Sequence, residues 1–360
     1  MFTSRTSSES QFTSNQTMWS FIVNKNSSNE TKDEIQQFAT HGNNTVFIQY
    51  PPQLMDFAAA CFIAFAVIGV TGNFISIVAL SKCKRLRNAT TAFIVNLCVA
   101  DFLFCSFSMP LTALTFLERD WNYGDVLCKL FPLVRYSNGA VSLFSVIAIT
   151  VNRYILVVHP NLYRDMYKAR NIAIMISFIW ISALVLLLFP LIEVWGRFGF
   201  DPKVGTCSIL KLNGKSPKMF LYITAFGLPS LVFVICYARI YWVVRKASKQ
   251  VRESCHRDMI SEDTVTFSSK KIFIRKIHRH SEMTKRNSSW KRDKKELRVL
   301  KVMMVIFITF VLCYFPVSFV KIFKKEDDLP FLNVIGYLGV YFSNIVNPII
   351  YVVISKEYRR

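Results

Sequence analysis

Asp101, Arg135 and Arg153 are ionisable side chains set in long apolar runs, where a charge is costly and usually marks function. Arg153 closes one run in the triplet Asn152-Arg153-Tyr154, ahead of Val157-Val158-His159-Pro160 and a basic loop. It is placed to reach neighbouring helix ends or an intracellular partner. Arg135 and Ser142 precede it in the same run. Burying an arginine in a membrane costs about 2.5–3.5 kcal/mol on insertion scales, so it needs a counter-charge or a wet cavity. An anionic ligand would supply that charge, and an internal pair with Glu193 is the alternative. Asp101, unpaired, would cost several kcal/mol or take up a proton. Asn73, Ser142, Ser343, Asn344 and Asn347 are the polar residues that could surround it. Hard oxygen ligands suit a small cation, and a hydrogen-bonded network without an ion is the alternative.

These groups must be positioned by elements that suit a bilayer. The 360 residues have positive mean hydropathy and yet a net charge of +21. That combination fits apolar spans joined by basic loops better than a nucleic-acid-binding surface. Seven candidate spans lie at 54–81, 90–115, 125–158, 169–192, 219–246, 296–323 and 330–354. Each approaches the roughly 20 apolar residues that cross a bilayer, and in lipid such spans must be helices. The expectation is an all-α membrane protein, a seven-transmembrane-helix bundle over 54–354.

Basic residues set the orientation. Lys82, Lys84, Arg85 and Arg87 fill the first loop, and Arg164, Lys168 and Arg170 the third. The long loop at 247–295 is strongly basic and is expected to extend as helix at both ends. Residues 355–360 begin a cytoplasmic tail with Lys356, Arg359 and Arg360. By the positive-inside rule these segments are cytoplasmic and residues 1–53 are outside. That polar segment holds four glycosylation acceptors, Asn15, Asn26, Asn29 and Asn43. No cleavable signal peptide is read, so the first span directs insertion. Of nine cysteines, Cys128 and Cys207 fall on the oxidising side and are expected to be bridged, with two free thiols as the alternative.

Landmark motifs recur through the spans in order: Gly72-Asn73; Asn96-Leu97-Cys98-Val99-Ala100-Asp101; Cys128 with Asn152-Arg153-Tyr154; Trp180; Pro229 and Tyr237; Phe310 with Cys313-Tyr314-Phe315-Pro316; and Asn347-Pro348-Ile349-Ile350-Tyr351. With the loop Trp121-Asn122-Tyr123-Gly124, this set resembles the rhodopsin-like (class A) G-protein-coupled receptors over about 54–358. Asn152-Arg153-Tyr154 and Trp195-Gly196-Arg197-Phe198-Gly199 look most like the insect Moody and Trapped-in-endoderm receptors, with melatonin receptors second.

The resemblance implies a plasma-membrane receptor for an outside or membrane-derived ligand, coupled to heterotrimeric G proteins by movement of helix 6. A role in barrier formation or cell migration follows from the Moody likeness. Arg135 falls where the family's ligand pocket begins and where amine receptors carry Asp, so an anionic or lipid ligand is expected. Tyr136, Asn138, Glu193, Tyr222, Tyr314, Asn333 and Tyr337 are the other pocket candidates. Tyr314 stands where the family usually has Trp. Asn152, Arg153, Tyr154, Tyr237, Glu296, Phe310, Pro316, Asn347, Pro348 and Tyr351 are the coupling and activation candidates. Asn152 replaces the usual acid, and Glu296 falls at the family's second partner for Arg153. Leu143 and Phe310 would repack where Pro316 kinks helix 6.

The likeness also implies a sodium site at Asp101, Ser142, Asn344 and Asn347, although Ser343-Asn344 reverses the family's usual order. No other cofactor is expected. A multi-span transporter or channel is the reading from a different class, with Asp101 as its coupling group. An enzyme is not expected, because no nucleophile–base pair, metal motif or phosphate loop is visible and the histidines are scattered. The short tail leaves little for arrestin, whether it is naturally short or truncated.

Overall fold

The computed structural model describes residues 51–82, 88–201, 204–260, 304–323 and 330–354. Seven long helices run through them: α1 Pro52–Lys82, α2 Ala89–Glu118, α3 Gly124–Val158, α4 Ala169–Leu191, α5 Lys218–Ile260, α6 Met304–Ile322 and α7 Pro330–Ile354. This is the expected helical bundle. The first six are long and apolar enough, by length and composition, to cross a membrane. The expected boundaries hold to within a few residues at most ends. α5 continues to Ile260, so the helical extension expected at the start of the 247–295 loop is present, and the expected start of the sixth span at 296 lies outside the described residues. The glycosylation acceptors, Glu296 and the tail lie outside the described residues.

The bundle turns its apolar side chains outward as well as inward. Val67 and Ile75 on α1, Phe178 and Ile181 on α4, and Leu231 and Val234 on α5 are exposed. Asn73, Asp101, Asn138 and Asn344 are buried between the helices. That distribution suits lipid outside and internally satisfied polar groups inside. Asn73 of α1 donates to its own Gly69 carbonyl and to the Asn344 carbonyl of α7, at 2.9 and 3.1 Å. Trp180 of α4 donates to Asn96 of α2 (2.9 Å), and Asn96 donates to Ser145 of α3 (2.8 Å). The landmark polar residues therefore pin helix to helix.

Two local departures aim side chains at the interior. In α2 the backbone widens to a π-helix over Phe104–Ser108, just before Pro110. Such a bulge adds a residue to one turn and rotates everything beyond it. Thr112, past the bulge, meets the Tyr341 hydroxyl of α7 at 2.7 Å. In α6, Pro316 lies where α6 and α7 approach closely. A Cβ at Gly336 would stand 2.7 Å from the Val317 nitrogen, and one at Gly339 would stand 2.7 Å from the Cys313 carbonyl oxygen.

Over the end of the bundle that carries Cys128, the outer end in the orientation expected from the basic loops, lies a β-hairpin, β1 Arg197–Asp201 and β2 Thr206–Leu210, with Phe200 opposite Cys207. Its turn closes through Asp201 carbonyl bonds to the nitrogens of Val204 and Gly205, with Gly205 at φ 68. Cys207 is bridged to Cys128 of α3, as expected. A bridge of this kind is worth about 2–5 kcal/mol.

Candidate functional site

α3 reaches polar groups at three depths, through Arg135, through Ser142 beside Asp101 of α2, and through Asn152-Arg153. Near the outer end, Arg135 is buried, with 8% exposure. Its guanidinium carbon lies 5.9 Å from the Phe131 ring centre, 5.8 Å from Tyr136, 5.2 Å from Tyr337 and 5.3 Å from Tyr341. Tyr222 is also within Coulombic reach. Each such cation–π contact offsets roughly 0.5–2 kcal/mol of desolvation. Among the described residues, no carboxylate pairs with Arg135. Glu193 does not join the box: it stands exposed just past the end of α4, in the left-handed region at φ 58.

The box has an aromatic floor and a lid. Tyr341 is fully buried, packed on Phe62 at 4.7 Å and Phe104 at 5.1 Å. The hairpin forms the lid. Val204 packs on Val317 and Tyr337, with Tyr222 beside them. Tyr136 exchanges a hydrogen bond with Ser208 (3.1 Å), and Lys218 of α5 donates to Asp201 (2.6 Å). Of the pocket candidates, Tyr136, Tyr222 and Tyr337 are brought to Arg135. Asn138 and Asn333 are buried on α3 and α7. Tyr314 lies below, stacked on Phe310 at 4.3 Å and in Coulombic reach of both Arg135 and Asp101.

At mid-depth Asp101 is 1% exposed. Ser142 donates to one of its oxygens at 2.8 Å, and Asn347 donates to the other at 2.7 Å. A cavity of about 20 Å³ opens beside it, lined by Leu143, Phe310, Tyr314, Ser343, Asn344 and others. That is room for one water or a small cation. The carboxylate, the Ser142 and Ser343 hydroxyls and the amide oxygens are hard ligands that fit sodium. The Asn347 nitrogen already satisfies one carboxylate oxygen, and the Asn344 amide donates to Val340 in its own helix.

At the inner end Asn152 is completely buried and turned away from Arg153. Thr90 of α2 donates to its side-chain oxygen at 2.6 Å. Tyr167, just before α4, faces the same amide. Burial raises its phenol above the ordinary value, and Asn152 pulls it partly back. Arg153 lies in Coulombic reach of Tyr237. Tyr237 stacks on Phe233 at 4.0 Å, and Phe233 stacks on Phe307 of α6 at 3.5 Å, so aromatic contacts run from beside Arg153 to α6. Tyr154 packs edge-on to His159. Pro348 lies inside α7, near Gly72 of α1. Tyr351 belongs to the last turn of α7.

The description "7 transmembrane receptor (rhodopsin family)" is that of a family model matching residues 72–351. The chain belongs to this family. "Protein trapped in endoderm-1" of Drosophila melanogaster is 36% identical over 313 residues, covering 86% of this chain and 77% of that protein. "G-protein coupled receptor moody" of Drosophila melanogaster is 34% identical over 342 residues, covering 86% of this chain and 51% of that protein. The chain thus spans about half the length of the Moody relatives it matches. Squid rhodopsin shares the fold, with a TM-score of 0.70 at 22% identity, over 87% of this chain and 85% of that one. This rhodopsin-family chain is a multi-pass membrane protein, and its named relatives are receptors rather than enzymes.

Sequence reasoning missed several residues of the site. Tyr341 was detectable, since Tyr337 and Tyr341 stand four apart and share a helix face. Thr90, Tyr167, Val204 and Lys321 carried no such signal.

Proposed function

We propose that this chain is a plasma-membrane receptor, with its N-terminus outside, that binds an anionic ligand at Arg135 and activates heterotrimeric G proteins from its inner face. The observation that carries the reading is a buried arginine ringed by phenols, with no carboxylate pairing it among the described residues. A buried cation without a counter-ion is destabilising, and an anion that enters the box supplies one. Both lipid and soluble anions carry the required charge. The name of the Moody relative supports G-protein coupling, and a role in barrier formation or cell migration is carried over from the family resemblance alone.

Signal transfer would run down α3 and α6. An anion at Arg135 draws on Tyr337 of α7, which packs against Val317 of α6, next to Pro316. Swinging α6 at Pro316 would break the Phe233–Phe307 stack and free Arg153 to meet Tyr237, Tyr351 and a G-protein helix. At rest Arg153 would pair with Glu296. If Glu296→Gln left basal signalling unchanged, that pair would not exist. A sodium ion in the cavity beside Asp101 would hold the resting state. Sodium should then weaken agonist binding in the parent and have no effect in Asp101→Asn.

The direct test is G-protein nucleotide exchange in cells expressing the parent or Arg153→Ala, with and without a panel of anionic lipids. Lipid-stimulated exchange in the parent that falls to background in Arg153→Ala is expected. Solute uptake with no exchange, at normal surface expression, would favour a transporter instead.

A further inference from the structure

A second cation faces the ring that Arg135 faces. Lys321 lies near the outer end of α6, beyond Pro316. A lysine at the end of a span ordinarily extends its ammonium to the membrane surface. Lys321 does the reverse: it is 6% exposed, and its Nζ lies 5.6 Å from the centre of the Tyr337 ring. The Arg135 guanidinium lies 5.2 Å from the centre of that same ring. Tyr136 is within Coulombic reach of both cations and of Lys218. Lys218 is already matched, at 2.6 Å, by Asp201. Two cations on two helices therefore converge on one phenol.

Resting on the anionic-ligand reading above, we propose that Arg135 and Lys321 together bind the head group of a phosphate monoester. The planar guanidinium suits two oxygens of one anion, and the compact ammonium suits a point charge beside it. A phosphate monoester carries about 1.5–2 negative charges at neutral pH and three strong acceptor oxygens. A carboxylate can accept from both groups but carries a single charge, so it balances one of these cations and a phosphate monoester balances both. Tyr136, which shares a hydrogen bond with Ser208 at 3.1 Å, is the phenol within reach of both cations that can turn to the remaining acceptor. Tyr341 is already engaged with Thr112, at 2.7 Å.

The hairpin lid narrows the source. The disulfide, the Lys218–Asp201 pair and Val204 hold it over the outer end. A head group carried on a lipid chain reaches the box from between helices, whereas a soluble ester must pass the lid.

The test uses the full chain purified into nanodiscs of uncharged phosphatidylcholine. The probes are oleoyl glycerol phosphate, oleate and glycerol phosphate, with apparent affinity read from the rise in unfolding temperature. In the parent, oleoyl glycerol phosphate should bind at least about tenfold more tightly than oleate, the size of one added charged hydrogen bond. Lys321→Gln should bring the two within about twofold, and Lys321→Arg should keep the preference. Unfolding temperatures without probe show whether each variant is folded. A preference that survives in folded Lys321→Gln, or a parent that binds neither phosphate probe, overturns the proposal. Arg135→Gln should lose both lipid probes. If it keeps both, the anionic-ligand reading itself fails, a result separate from the loss of the phosphate preference. Glycerol phosphate binding as tightly as the lipid would support the phosphate site with a soluble source, and its failure to bind would support the site with a lipid source.

Discussion

Arg135 and Arg153 sit on the same helix, about 27 Å apart along its axis, and are held in opposite ways. Arg135 is enclosed by two rings of its own helix and two of α7, and roofed by a hairpin that a disulfide ties down. Arg153 follows a neutral residue whose side chain is committed elsewhere, to Thr90. One arginine is fixed and lacks a carboxylate partner among the described residues. The other has lost the acidic neighbour that restrains it in most of the family. On the proposed function, one residue type at two depths serves as a ligand anchor at one end of the helix and as a moving part of activation at the other.

Breaking the outer end should have the largest effect. Cys128→Ser releases the hairpin from α3 and should cost about 2–5 kcal/mol of stability, seen as a lower unfolding temperature and reduced surface expression. Ligand response should fall while G-protein coupling of the surviving folded fraction persists. If unfolding temperature and response were unchanged, the lid would not be what orders the Arg135 box.

At the inner end the change is in signalling more than in stability. Asn152→Asp restores an acid beside Arg153 and should lower basal nucleotide exchange several-fold, while anion binding stays within about twofold. Basal exchange that rises would mean Asn152 acts through Thr90 and Tyr167 rather than through its lack of charge beside Arg153. The smallest effect is expected for Thr90→Val, which removes one buried bond to Asn152 and should cost about 1–3 kcal/mol of stability. An unfolding temperature equal to the parent's would show that α2 does not hold Asn152.

Much of the inner and middle site was legible before any geometry. Asp101, Ser142 and Asn347 were visible as polar residues in apolar spans, where few alternatives exist to satisfy them, and the structure joins them. Cys128 and Cys207 were visible because the topology placed both on the oxidising side. The outer pocket was only half legible. Lys321 reads in sequence as an ordinary span-end lysine, because whether it turns inward depends on helix rotation beyond Pro316. Val204 reads as a turn residue, because its burial depends on where a disulfide-tied hairpin comes to rest. Thr90 and Asn152 lie on different helices with nothing in sequence to link them. Glu193 carried charge and proximity in sequence, yet the end of α4 turns it to solvent.

The most direct test of the account is nucleotide exchange by purified G protein on the parent and Arg135→Gln in nanodiscs, with and without oleoyl glycerol phosphate. The account predicts that Arg135→Gln, shown to be folded by its unfolding temperature without lipid, loses the stimulated component. Stimulated exchange that persists undiminished in Arg135→Gln would contradict it.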